Sequence, residues 1–516
     1  MLRTRASPAK VSSQWILARF FTSRSSLWQK TPFVLPPDFK ETRSIVKSIP
    51  FSQCYKIWRR SIRPNRLKEL QDELVELMLP SDLEENSGIN RQSKKVQIDK
   101  DGNFINEVNF EIVNDPSLDT KHVVFIHGYG ASLGCFARNF QLIQKLKSDK
   151  SHNYSVHFLD NITFGLSSNP RIDNVEANKW KLYRCPTIKL NDPDQPTDPK
   201  KLYNKYYKLI EGYEVNVEEF KKYQEHYSPI LKDLDDFYTS AIEKWRIAYG
   251  LDKIDYLVGH SFGAYWSGSY AVRYPKNLKN LILLSPVGVE RHVQAVTNDT
   301  FNDAEGIAKL KPSLDPTSYK FLTRIPVLSQ KHVFNWYFWL PFVPRFLRWL
   351  GPWGVSQYYR MWLGKLLKIN KFIKKQGGAA NLFTSNNDLA YGTKKEVLLI
   401  IEYLYNSITS GSNSDIYIKN LLTPSTVSKW PLYDKFYAFL HGIHKPEFNI
   451  HLLYGQFDFM NVEAGEKLVE LIDSKTDNKI TSFYKVSEGG HNLYIDNPFE
   501  TNQLIHDIII ERDQKK

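Results

Sequence analysis

The stretch that most constrains this 516-residue chain is DYLVGHSFGAYWSGSYA, beginning at Asp255. An apolar run through Tyr256, Leu257 and Val258 meets Gly259-His260-Ser261-Phe262-Gly263, and small and aromatic residues follow. This context predicts a strand, a sharp turn and a helix. Glycines on both sides of Ser261 remove the Cβ atoms that would forbid the bend, so the serine can stand on a strained elbow with its hydroxyl exposed. An ordinary turn is the rival reading. A serine hydroxyl is a poor nucleophile at neutral pH, so the chemical reading needs a base within hydrogen-bond reach and a third group to orient that base.

Both appear later in the chain. HLLYGQFDFM closes an apolar strand with Asp458, and SEGGHNLYIDNP places His491 just beyond the last predicted strand. The order Ser, Asp, His at strand ends is one in which such a triad is built. Asp458 could instead cap the following helix, and His491 could be a loop histidine. An oxyanion also needs donors. The backbone N–H of Phe262 is one candidate, and the loop HGYGAS offers the other from Tyr129, with Gly128 and Gly130 letting the backbone approach. The rival there is a plain glycine turn with His127 buried beneath it.

Short apolar strands alternate with helical stretches on either side of the elbow, which predicts a mostly parallel sheet covered by helices on both faces. KKVQIDKDGNFINEVNFEIV reads as a β-hairpin around Asp101-Gly102, and RLKELQDELVELM as an amphipathic helix packed on the body. LNDPDQPTDPKK, after the strand ending near Asp160, reads as a surface loop. From 288 to 440 the alternation is lost, and this segment is expected to form a large, mainly helical cap. The organisation is then 1–25 a targeting segment, 26–95 an N-terminal extension, 96–287 and 441–516 the two parts of the core, and 288–440 the cap.

The net charge of +13 is concentrated. Residues 1–37 carry six cations and no acid, and eleven more lie between Asp315 and Asp388, again without an acid, so the rest of the chain is mildly acidic. The first segment is rich in Arg and Ser, as mitochondrial transit peptides are, and its short apolar run WILARFF is broken by Arg19. Cleavage is expected near Phe20 to Thr22, with a bare basic tail as the alternative. Three scattered cysteines suit a reducing compartment and suggest neither disulfides nor a metal site.

In the second segment Trp336, Trp339, Trp349, Trp353 and Trp362 alternate with Arg345, Arg348, Lys365 and Lys368, and prolines interrupt any span. Aromatic rings beside cations predict a peripheral contact with an anionic membrane, made by Trp336, Trp339, Arg345, Arg348, Trp349, Trp353, Lys365 and Lys368. The rival is an aromatic cap packed on the core. Nucleic acid is disfavoured by the triad beneath, no metal or organic cofactor is implied, and protein partners stay open.

The stretches FIHGYGAS, VGHSFGAYWS, LLSPVGVE, GPWG, LLYGQFDFM and GGHNLYIDNP, spread over about residues 120–515, resemble the α/β-hydrolase-fold lipid enzymes related to the animal abhydrolase-domain lipid-droplet coactivator. The fungal subgroup is most similar, and it includes a mitochondrial cardiolipin-specific deacylase and a lysophosphatidic acid acyltransferase. The resemblance implies the α/β-hydrolase fold and places its catalytic positions on Ser261, Asp458 and His491. It also carries a His-x₄-Asp pattern linked to acyl transfer, here His491 to Asp496, although Asp496 sits where it would cap a helix. Coactivator members lack the serine that this chain keeps, and the insertion after Asp160 departs from shorter relatives. The expected function is deacylation of an anionic mitochondrial phospholipid, cardiolipin first, on the matrix side of the inner membrane. Lysophospholipid acylation from acyl-CoA is the alternative, and a non-catalytic lipid-surface protein the third reading.

Overall fold

The computed structural model describes residues 49–79, 88–191, 210–328, 330–338, 342–375, 394–442 and 446–514. The expected targeting segment, most of the polar insertion and Trp339 lie outside the described residues. Eleven strands are described: β1 (Ile89–Gln97), β2 (Phe104–Ile112), β3 (Thr120–Ile126), β4 (Asn153–Leu159), β5 (Ile188–Leu190), β6 (Tyr213–Asn216), β7 (Ile254–His260), β8 (Leu278–Leu284), β9 (Ile307–Leu310), β10 (Asn449–Gly455) and β11 (Thr481–Val486). Eight of them form one sheet in the order β1-β2-β4-β3-β7-β8-β10-β11. From β4 onward all pairings are parallel, and β1 and β2 add an antiparallel edge.

Alternation along the central strands feeds two cores. Val123 and Phe125 of β3, Tyr256 and Val258 of β7, and Ile282 and Leu284 of β8 point to one face. Val124 and Ile126, Leu257, and Leu281 and Leu283 point to the other. Both faces are buried, which explains why these strands read as unbroken apolar runs.

The helices are α1 (Phe51–Ser61), α2 (Arg66–Met78), α3 (Gln141–Ser148), α4 (Val217–Tyr249), α5 (Phe262–Arg273), α6 (Gln330–Phe338), α7 (Val343–Trp349), α8 (Pro352–Lys375), α9 (Lys394–Ile408), α10 (Ser414–Leu421), α11 (Leu432–Leu440), α12 (Val462–Lys475), α13 (Leu493–Asp496) and α14 (Pro498–Gln514). α4 begins with the Asn216 side chain accepting the Glu219 amide and ends at Gly250 with φ 81°. That is a helix closed at both ends by the residue types its termini need. Among the described residues, no helix is long and apolar enough to cross a membrane.

One expectation needs correction. The hairpin around Asp101-Gly102 is present, but its first strand begins at Ile89, so the sheet starts inside the stretch read as an N-terminal extension. The region between the core halves is mainly helical as expected, with one added strand, β9, which joins β5 and β6 in a separate three-stranded antiparallel sheet. Its strands have three or four residues each, too few to show a period.

The cap is tied to the body by buried ion pairs. Arg66 of α2 forks onto Glu402 of α9 at 2.8 and 3.1 Å. Arg138, which follows β3, is buried against Glu396 of α9 at 2.6 and 3.1 Å and donates a third bond to the Ile495 carbonyl at 2.7 Å. Desolvating such charges is costly, so removing one partner strands the other. Glu396→Ala should therefore destabilise the protein by about 3–5 kcal/mol, read as a lower urea midpoint than that of a surface control such as Glu470→Ala.

Candidate active site

Ser261 sits between the end of β7 and the start of α5 with φ 53° and ψ −112°. A non-glycine residue keeps such a conformation only where its surroundings over-determine it. They do so here. Its amide donates to the Leu284 carbonyl at 2.9 Å, and its carbonyl accepts from Tyr265 at 3.0 Å. On either side, a Cβ on Gly263 would stand 2.4 Å from the His127 carbonyl, and one on Gly259 would stand 2.5 Å from the Ser267 hydroxyl. The elbow therefore packs backbone directly against the end of β3.

The structure brings the three candidate side chains together. His491 Nε2 lies 2.9 Å from Ser261 Oγ, and His491 Nδ1 lies 3.1 Å from Asp458 Oδ1. Asp458 is buried and also accepts the Met460 amide at 3.0 Å, so it serves its own turn as well as the imidazole. Burial pushes its carboxyl up, but the facing His491 and these hydrogen bonds outweigh that and hold it below the usual carboxylate range. The Phe459 ring packs on the His491 imidazole at 4.4 Å between centroids. With Nδ1–H donated to Asp458, Nε2 is free to take the serine proton.

Two further histidines are structural. His260 is buried, and desolvation lowers its pKa to about 3, so it stays neutral and donates from Nε2 to the His491 carbonyl at 2.9 Å. It thereby pins the backbone of the base to the elbow. His127 is likewise pushed down to about 4 by burial. It donates from Nδ1 to the Gly128 carbonyl at 2.8 Å and accepts the Asn161 amide at 3.0 Å.

Phe262 is the first residue of α5, so its N–H is one of the amides a helix start leaves without an intrahelical partner. Gly128 lies against Ser261, since a Cβ there would be 3.1 Å from Ser261 Cβ, and this sets the loop containing Tyr129 next to the elbow.

Asp496 does not cap the following helix. Asn497 does so, accepting the Glu500 amide at 3.3 Å, whereas Asp496 closes α13 and reaches back to accept the Gly490 amide at 3.0 Å. It acts on the loop that carries His491, because α13 turns the chain back before α14 begins.

The expected membrane-facing residues divide. Trp336 is buried in the main core and is no lipid contact, because α6 turns that ring inward. Arg348 donates to the Ser61 carbonyl at 2.5 Å and to the Thr409 carbonyl at 3.4 Å, fastening α1 to the cap. Trp349 is 81% exposed, Trp353 is also exposed, and Arg345 is exposed with its guanidinium 4.7 Å from the centre of the Trp180 ring. Lys365 and Lys368 lie on α8, but their side chains fall outside the described residues. Sequence reading missed Tyr403, Asp415 and Arg324, whose contacts join segments distant in the chain. Arg324 donates to the Phe459 carbonyl at 2.5 Å, next to Asp458.

The family model of the α/β-hydrolase fold matches residues 121–314. Protein ECM18 of Saccharomyces cerevisiae is 28% identical over 472 residues, covering 90% of this chain and 85% of that protein. The 1-acylglycerol-3-phosphate O-acyltransferase ICT1 of the same yeast is 26% identical over 384 residues, covering 73% and 78%. Human 1-acylglycerol-3-phosphate O-acyltransferase ABHD5 is 22% identical over 386 residues, covering 75% and 76%. These relatives bear out the resemblance to the lipid-droplet coactivator family read from the motifs.

The strain at Ser261 yields a prediction with opposite signs. Ser261→Gly should raise stability by about 1 kcal/mol by relieving the positive φ, measured as a higher thermal midpoint, while removing every activity that depends on the hydroxyl.

Proposed function

We propose that this α/β-hydrolase-fold chain, a relative of lipid enzymes, is a serine-dependent deacylase of an anionic glycerophospholipid, with mitochondrial cardiolipin the first substrate to test. The observation that carries the reading is the continuous hydrogen-bonded line from Ser261 Oγ through His491 to Asp458, at 2.9 and 3.1 Å. In this mechanism His491 Nε2 takes the hydroxyl proton as Ser261 Oγ adds to the ester carbonyl. Asp458 stabilises the imidazolium, and the amides of Phe262 and Tyr129 hold the oxyanion. Collapse expels the lysolipid alcohol, which receives the proton from His491, and leaves an acyl-serine. Water, deprotonated by His491, then releases the fatty acid and restores the hydroxyl.

A second reading shares all these groups and differs only in what resolves the acyl-serine. If a lysophospholipid hydroxyl replaces water and acyl-CoA is the donor, the product is a phospholipid. The names of the ICT1 and ABHD5 relatives favour this route.

Both readings place the chain at a lipid surface of the mitochondrion. The acid-free run from 316 to 387 supports an anionic surface, and the exposed Trp349, Trp353 and Arg345 are the cap residues that suit it. Each cation near such a surface contributes about 1 kcal/mol.

Purified protein incubated with cardiolipin liposomes should release fatty acid and lysolipid without any acyl donor, as weighed by mass spectrometry. Product formed only when acyl-CoA and lysophosphatidic acid are supplied would replace the first reading by the second. Ser261→Ala should lower either turnover by about 10⁴-fold or more. Arg345→Ala with Trp349→Ala should weaken binding to anionic liposomes by about fivefold or more, while cleavage of a soluble short-chain ester is kept.

A further inference from the structure

The loop after β3 is held from both sides. From the core, Asp160 accepts the Leu133 amide at 2.7 Å, and His127 locks the first turn. From the cap, the contacts are more numerous. The Tyr403 hydroxyl of α9 accepts the Gly134 amide at 3.0 Å and the Ser132 hydroxyl at 2.7 Å. Ile408, at the end of the same helix, closes on Gly130, whose φ is 69°, so that a Cβ there would meet its Cδ1 at 3.3 Å. Asp415 of α10 accepts the Tyr129 hydroxyl at 2.9 Å.

Asp415 is buried, and desolvation raises its pKa to about 7. Its Oδ1 accepts the Tyr129 hydroxyl's hydrogen bond, while its Oδ2 is buried with no hydrogen-bond partner among the described residues. A buried carboxyl satisfied on one side costs stability, which a helix surface facing the core could avoid with an apolar residue. The cost is sustained at the side chain of Tyr129, the residue that follows Gly128, which is packed against Ser261. The Tyr129 ring also packs on Phe262, the other donor, at 6.5 Å between centroids.

We infer that Asp415 is a positioning residue for the oxyanion hole: through the Tyr129 hydroxyl it fixes the Tyr129 amide, so the cap completes the catalytic site as well as covering it. The inference rests on the acyl-serine reading and adds a residue to it. Asp415 touches no reacting atom. Its effect passes through a tyrosine ring whose two ends are held, one by the main chain at the site and one by the cap. Loosening the outer end leaves the amide free to wander, and a displacement of about 1 Å at a catalytic donor costs up to about 100-fold in rate.

The test is saturation kinetics with an alkyl fluorophosphonate, which reacts through a transition state that places negative charge in the same hole. Tyr129→Phe and Asp415→Ala should each lower the maximal labelling rate of Ser261 about tenfold or more, with less than a twofold change in the half-saturating concentration. Asp415→Asn, which keeps an acceptor for the hydroxyl, should recover most of that rate. The double variant Tyr129→Phe with Asp415→Ala should be no slower than the slower single one, because both remove the same bond. If Tyr129→Phe fails to fold, the Asp415→Ala and Asp415→Asn pair decides. An unchanged maximal rate with a lowered thermal midpoint would reduce the bond to ordinary packing and overturn the inference. A change confined to half-saturation would overturn it too. Folded parent protein that the probe does not label would bring down the acyl-serine reading itself, and the inference with it.

Discussion

The site depends on how closely one helix is allowed to approach one sheet. At Gly263 the carbonyls of Ile126 and His127 occupy the place of a side chain, and at Gly259 the Ser267 hydroxyl does the same. This contact forces the chain to turn within a single residue, and Ser261 takes the strained conformation as a result. The same contact sets the β3 loop beside the nucleophile, and His260 links the elbow to the backbone of His491. Ser261, His491 and the loop of Gly128 and Tyr129 are thus spaced by main-chain packing, which side-chain motion alters little.

Around this centre the cap behaves as part of the framework. Arg66 of α2 and Arg138 of the segment after β3 both end on α9, while Arg348 joins α1 to the neighbouring cap helix. On the inner side Tyr403, Ile408 and Asp415 meet the loop of Tyr129, and Arg324 meets the turn of Asp458. The loops of Tyr129 and Asp458 are therefore both gripped by the cap.

Much of this was legible in the sequence, for reasons that differ by element. The elbow, the central strands and the hairpin were readable because each is decided locally, by glycines, by short apolar runs or by an Asp-Gly turn. Asp458 and His491 were readable as a pattern because strand ends could be located. Trp336 was not, since its neighbours in sequence are also aromatic and only the orientation of α6 decides which ring turns inward. Asp496 reads as a cap, but Asn497 beside it does that work, a one-residue difference that composition does not resolve. The bond between Tyr129 and Asp415 spans 286 positions and leaves no local trace.

Arg138 has a consequence for how the chain reaches this state. Its guanidinium is satisfied by Glu396, 258 positions later, and by the Ile495 carbonyl, 357 positions later. Until both arrive, the first half of the sheet would enclose an uncompensated cation, so it cannot close ahead of the rest. Closure of the N-terminal half of the sheet is therefore coupled to the docking of α9 and α13, contacts of high sequence separation that form late in folding.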